Sequence, residues 1–166
     1  LGEFLHQIIE QGRFYTLSWV GGKMVVPSRV YALAFTSPAE MLLVGEDPDD
    51  TQRWVPGGGI EAGETPEEAL RRELMEEADA SIIALEALGS QQAVDEQGSL
   101  TYQRFYWCRV TLAEQKFPRT EQMLRYVVSP ADYLDTLAWG RSDPKAPMLL
   151  EKALKIEGRY SANSVS

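Results

Sequence analysis

Three glutamates, Glu73, Glu76 and Glu77, stand at relative positions 0, 3 and 4, so they share one face wherever that segment is helical. Like charges at these spacings destabilise a bare helix by a few tenths of a kcal/mol per pair, about 1 kcal/mol for the three together. A divalent cation removes that cost, and hard cations such as magnesium take oxygen ligands of this kind. The spacing suits a magnesium site beside a phosphate better than an acidic face turned to water. Nearby lie Gly57-Gly58-Gly59, Glu64 and Arg72. Glycine lets a backbone approach a ligand closely, and a guanidinium fork can hold carboxylates in orientation. Arg72 could also simply pair with Glu68 and Glu76 at i±4 along a helix.

The elements that must position these groups are readable around them. Thr65-Pro66-Glu67-Glu68 is a capping box with proline at the first helical position, and it predicts a helix over 66–78. Leu70, Leu74 and Ala78 form a narrow apolar seam on that helix. At about 100° per residue, the three glutamates occupy an arc of about 100° beside the seam. One side can therefore anchor on a sheet while the acidic side faces a cleft. Trp54-Val55-Pro56 reads as a short strand leading into the glycines. Further strands are expected over 29–36, 41–44, 81–94, 102–110 and 125–128, the first so continuously apolar that both its faces should be buried. A hairpin is expected over 14–20 and 23–26 about Gly21-Gly22. Helices are expected near the N-terminus (Phe4, Leu5, Ile8, Ile9), from a cap at Ser129 to about Ala138, and from Ala146 to Ile156, stopped by Gly158. One domain over 1–158 and a flexible polar tail over 159–166 complete the expected organisation.

The pattern Gly58, five residues, Glu64, seven residues, Arg72-Glu73-Leu74-x-Glu76-Glu77 resembles the box of the Nudix hydrolases. It departs from that box at the end, where Asp79 replaces a glycine and Ala80 a bulky aliphatic residue. Aspartate tolerates the left-handed conformation that the glycine provides, although its charge opposes the dipole at a helix C-terminus. The resemblance implies an α/β/α sandwich with a mixed β-sheet and the box helix packed on it. It implies cleavage of a diphosphate bond in a nucleoside diphosphate linked to another group, with Mg2+ (or Mn2+) as cofactor. Glu73, Glu76, Glu77 and the Gly58 carbonyl would hold the metal, with Glu64 and Arg72 orienting them. The general base would be Glu73, or else Glu121 in a downstream loop. A noncatalytic Nudix-fold module that binds a nucleotide is the alternative, disfavoured because such members usually lose box glutamates that this chain keeps.

Composition bounds the rest. A chain of 166 residues, 44% hydrophobic, can bury one sizeable core. Its net charge of −9 argues against long nucleic acid, which requires basic stripes, but a small phosphorylated substrate stays compatible once metal inverts the local charge. No apolar run or signal peptide points to a membrane, so a cytoplasmic protein is the expectation. A homodimer is compatible with the family, but no residue fixes an interface. The single Cys108 excludes an intrachain disulfide and reads as a buried thiol. Arg29, Arg53 and Arg104 are candidate phosphate contacts, each equally readable as a surface arginine. Phe14, Tyr15, Trp19, Trp54 and Tyr102 could stack a base or fill the core. His6, the only histidine, is not expected to be catalytic. The substrate markers expected about sixteen residues past the box are absent, since position 96 is glutamate, so a nucleoside triphosphate or nucleotide sugar is the expected class.

Overall fold

The computed structural model describes residues 18–20, 23–25, 27–46, 48–49, 52–94, 100–116 and 123–165. The expected N-terminal helix, with His6, lies outside these residues, as do Phe14, Tyr15 and Glu121. Strands β1 (Ser18–Val20) and β2 (Lys23–Val25) pair antiparallel, Trp19 opposite Met24, which is the expected hairpin.

The central sheet is built from β3 (Arg29–Ser37), β4 (Glu40–Gly45), β5 (Gly57–Gly59), β6 (Ala80–Val94), β7 (Leu100–Leu112) and β8 (Leu124–Val128). Its order is β6-β7-β3-β4-β8, with β5 also paired to β3. The β3–β7 pair is parallel and the others antiparallel, so the sheet is mixed. Strand β3 is buried on both faces, as its apolar run predicts. Its even residues Val30, Ala32 and Ala34 meet Leu70, Leu74 and Ala78 of helix α1 (Pro66–Ala78). Its odd residues Leu33 and Phe35 join the core beneath α3 (Lys145–Asn163), with Leu149, Ala153 and Ile156. The result is an α/β/α sandwich. Burying Leu70 and Leu74 contributes about 1.5–3 kcal/mol each, which seats α1 firmly on its sheet face.

Three expectations need correction. The strand before α1 is the glycine run itself, because Gly57, Gly58 and Gly59 pair with Tyr31, Val30 and Arg29, while Trp54 makes only a bridge to Val44. The helix expected from Ser129 to Ala138 shrinks to α2 (Tyr133–Thr136). Ser129 and Asp132 bond each other, and the backbone beyond pairs with Arg53 through Ala138 N–H to Arg53 O at 2.8 Å, which draws it out of the helix. Helix α3 runs through Gly158 to Asn163, so residues 159–163 are not a loose tail. A mid-helix glycine costs about 1 kcal/mol against alanine. Contacts on both sides of it offset that cost. Buried Glu157 accepts from Trp107 Nε1 at 3.0 Å and pairs with Arg109, whose guanidinium lies over the Tyr160 ring, and Arg159 reaches Glu86.

Candidate active site

Helix α1 starts on the capping box read from the sequence: Thr65 accepts from Glu68 N–H at 3.2 Å, and Glu68 accepts from Thr65 N–H at 2.8 Å. It ends on Asp79 at φ 48°, ψ 42°, the left-handed exit, with aspartate in place of glycine. Arg125 on β8 supplies a positive charge there, donating to the carbonyls of Ala78 at 2.9 Å and Ala113. That contact favours the carbonyl end of the helix and offsets the acidic residue beside it.

Arg72 organises the acidic face, and all five of its N–H donors are used. Nε and Nη2 grip both oxygens of Glu64 at 2.8 and 3.1 Å, Nη1 reaches Glu73 at 2.9 Å and Glu76 at 3.1 Å, and Nη2 reaches Gly59 O at 2.8 Å. The bond to Glu64 leads in pushing the guanidinium pKa still higher. The same bond, reinforced by Glu61 N–H at 2.9 Å, holds the Glu64 carboxyl below its ordinary value. Arg72 is thus the hub joining the helix, the glycine strand and Glu64.

The glycine strand faces this hub in alternation. Ala32 N–H to Pro56 O and Ile60 N–H to Ser28 O mark the bonded pairs of the β3–β5 ladder, so Gly58, opposite Val30 between them, directs its N–H and C=O into the ladder. Gly57 and Gly59 point outward: Gly57 N–H donates to Glu77 Oε2 at 2.9 Å and Gly59 O receives Arg72. The backbone turned outward beside Glu77 therefore belongs to Gly57, while Gly58, the residue expected to offer its carbonyl, spends its own polar groups on the ladder to Val30. Gly58 is needed for another reason. A Cβ there would lie 2.5 Å from the Glu73 carboxylate, which rests directly on its Cα.

The donors fit a hard divalent cation in kind, all being carboxylate or carbonyl oxygens. Among the described residues no three acidic side chains already surround one point as a metal-ligand cluster. Glu73 and Glu76 both turn to Arg72, and Glu77 turns to Gly57.

A cavity of about 440 Å³ adjoins the acidic face, with Gly57 and Glu77 in its lining. Tyr31 and Phe105 form part of its wall, their rings stacked 5.5 Å apart, and Trp54, Trp139 and Lys145 contribute from the surrounding loops and α3. Arg29 lines it and donates through Nε to Tyr31 Oη at 2.7 Å. The other two arginines are placed differently. Arg53 is buried with its guanidinium 3.6 Å from the centre of the Tyr126 ring, outside the cavity lining. Arg104 donates to Tyr106 Oη at 3.4 Å, and by strand alternation it lies on the α1 face, opposite Gln103 and Phe105. Of the candidate stacking residues, Trp54 lines the cavity and Tyr102 does not, while the Trp19 side chain is outside the described residues. Cys108 is fully buried, and burial pushes its thiol pKa up, which makes it unsuited to nucleophilic work. Tyr31, Phe105, Trp139, Lys145, Gln91 and Gln103 were not singled out by sequence. The only signal was two glutamines within long strands, and their meeting depends on register.

A family model described as the NUDIX domain matches residues 26–148. Among solved structures, the Bacillus subtilis pyrophosphohydrolase BsRppH superposes with a TM-score of 0.62 at 23% identity, over 86% of this chain and 90% of that one. A NUDIX hydrolase from Nitrosomonas europaea gives 0.60 at 20% identity, over 77% and 88% of the two chains. An ADP compounds hydrolase gives 0.60 at 20% identity, over 82% and 78%. At these identities the superpositions establish the shared architecture. No curated protein matches the chain by sequence. The family match spans most of the chain and takes in the whole of α1 and its glycine strand, and the chain belongs to the Nudix hydrolase family, whose members act on phosphoric anhydride bonds.

Proposed function

We propose that this chain is a magnesium-dependent pyrophosphohydrolase that cleaves a diphosphate bond in a nucleoside diphosphate linked to another group, of the nucleoside triphosphate or nucleotide-sugar type. The carrying observation is the bond from Gly57 N–H to Glu77 Oε2 at 2.9 Å, with both residues lining the 440 Å³ cavity. It joins the acidic face of α1 to a space of the size that small-molecule ligands occupy. Glu73, Glu76 and Glu77, with the outward carbonyl of Gly57, are the groups that would hold magnesium, or manganese in its place. When bound, the metal supplies neutralisation of phosphate charge and acidification of the attacking water.

Arg72 keeps Glu73 and Glu76 in a common orientation, and Glu64 keeps Arg72 in place through a two-point grip. Arg29 and Lys145, at the cavity, offer positive charge to the phosphates. Glu73 is the first choice to take the proton from water, with Glu121 the second. The substrate is a small nucleotide-type phosphate and not long nucleic acid. No helix among the described residues is long and apolar enough to cross a membrane, and cytoplasmic residence accords with that reading.

The test is incubation with magnesium and a panel of nucleoside triphosphates, ADP-ribose, nucleotide sugars and dinucleoside polyphosphates, followed by chromatography of products. Turnover of one class that stops on chelation supports the enzyme. Silence across the panel, with retained binding of one member, would replace it with the noncatalytic nucleotide-binding module.

A further inference from the structure

The cavity contains a polar pair that the hydrolytic chemistry does not use. In the sheet register Gln91 of β6 stands opposite Gln103 of β7, and Gln103 is beside Arg29 of β3. Both glutamines line the cavity, and Gln91 Nε2 donates to Gln103 Oε1 at 2.8 Å. Gln91 is only 7% exposed, and its Oε1 is buried without a hydrogen-bond partner. An unmet buried acceptor costs about 1–3 kcal/mol, so a folded chain keeps one where a ligand satisfies it or pays that penalty for nothing. Two amides joined head to tail present one carbonyl and one NH2 whichever way the pair is oriented, and the orientation decides which glutamine offers which; here Gln91 offers the carbonyl.

We propose that the Gln91–Gln103 pair reads the hydrogen-bonding edge of a nucleobase, with Gln91 Oε1 accepting a base N–H and the Gln103 amide donating to the neighbouring ring or carbonyl acceptor. An adjacent donor and acceptor on a planar edge is what a base offers and a phosphate does not. The next row of the same sheet face holds Tyr31 opposite Phe105, an aromatic surface suited to the flat face of such a ligand. Arg29, in the row of the two glutamines, sits on the side toward the glycine strand, where the phosphates would run to Glu77. The inference rests on the hydrolase reading for the direction of the phosphates, while the base contact stands on the cavity alone.

The test is equilibrium binding by calorimetry, using the full chain without added metal, of the 5′-monophosphates of adenosine, guanosine, cytidine and uridine and of ribose 5-phosphate. At least one nucleotide should bind about tenfold or more tightly than ribose 5-phosphate. Gln91→Met should abolish that advantage while leaving ribose 5-phosphate binding and the melting temperature unchanged, since it also removes the unmet acceptor. Gln103→Met addresses the same pair should the first variant fail to fold. Equal binding of sugar phosphate and all nucleotides, or a base preference that survives both substitutions, overturns the proposal. Base-dependent binding lost in Gln91→Met, without turnover of any nucleotide, would instead sink the hydrolase reading and leave this one standing.

Discussion

Three consecutive glycines do three different things, and alanine substitution separates them. At Gly57, φ is 145°, and an added Cβ would lie 2.1 Å from Val30 O and 2.8 Å from Tyr31 Cα, both backbone atoms of a central strand that cannot swing aside. Backbone strain and overpacking, each taken at about 1.5 kcal/mol within the usual range of about 1–3, combine to about 3 kcal/mol. In a domain of this length each kcal/mol moves the melting temperature by about 2–4 °C, so Gly57→Ala should lower it by about 6–12 °C. At Gly58 the obstacle is the Glu73 carboxylate at 2.5 Å, the end of a flexible side chain. It can rotate away at the cost of its bond to Arg72, about 1 kcal/mol, or about 2–4 °C. If Glu73 holds metal as proposed, moving its carboxylate by about 1 Å costs about 100-fold in rate, so Gly58→Ala should fold and lose kcat. At Gly59 an added Cβ meets nothing within 4 Å, and Gly59→Ala should leave both quantities nearly unchanged. Calorimetric melts and metal-dependent turnover on the best substrate of the panel read all three. A Gly57→Ala protein melting within about 2 °C of the parent, or a Gly58→Ala protein with parental kcat, would refute the reasoning.

Other substitutions follow from single contacts. Glu77→Gln retains an oxygen for the Gly57 N–H, so its melt should stay within about 2 °C of the parent while turnover falls about 100-fold or more; a matching loss of stability would make Glu77 structural. Glu64 has its carboxyl pKa held below the ordinary 4.5, chiefly by Arg72, so its stabilising contribution is complete above that value and is lost as pH falls through the folded-state pKa. Glu64→Gln should therefore flatten the decline in melting temperature below about pH 4.5, and parallel curves from pH 6 to 3 would contradict this. Gly158 lies inside α3 with open space around its Cα, so Gly158→Ala should raise the melting temperature by about 2–4 °C, and a decrease would show that the helix breaks there after all.

How far the sequence discloses this molecule depends on the range of the forces involved. Helix α1 was legible to the residue because its cap, seam and exit are local, and each is encoded within a few positions of the atoms it satisfies. The two-sided burial of β3 was legible for the same reason, since an uninterrupted apolar run carries its own pattern. The shortened α2 and lengthened α3 were hidden because distant partners decide them. Arg53 takes the backbone that would have continued α2, and Trp107 and Arg109 hold α3 past a glycine that local propensity reads as a stop. Arg125 shows the same limit at the site, supplying from β8 the positive charge at the end of α1. The alternation within Gly57-Gly58-Gly59 lies between the two cases. Sequence shows that a backbone can approach the acidic helix there, but only the register against β3 decides which carbonyl turns toward it. Register is also what brings Gln91 to Gln103. A motif thus reveals the chemistry common to a family, whereas the parts that distinguish one member come from strand pairings that no local pattern specifies.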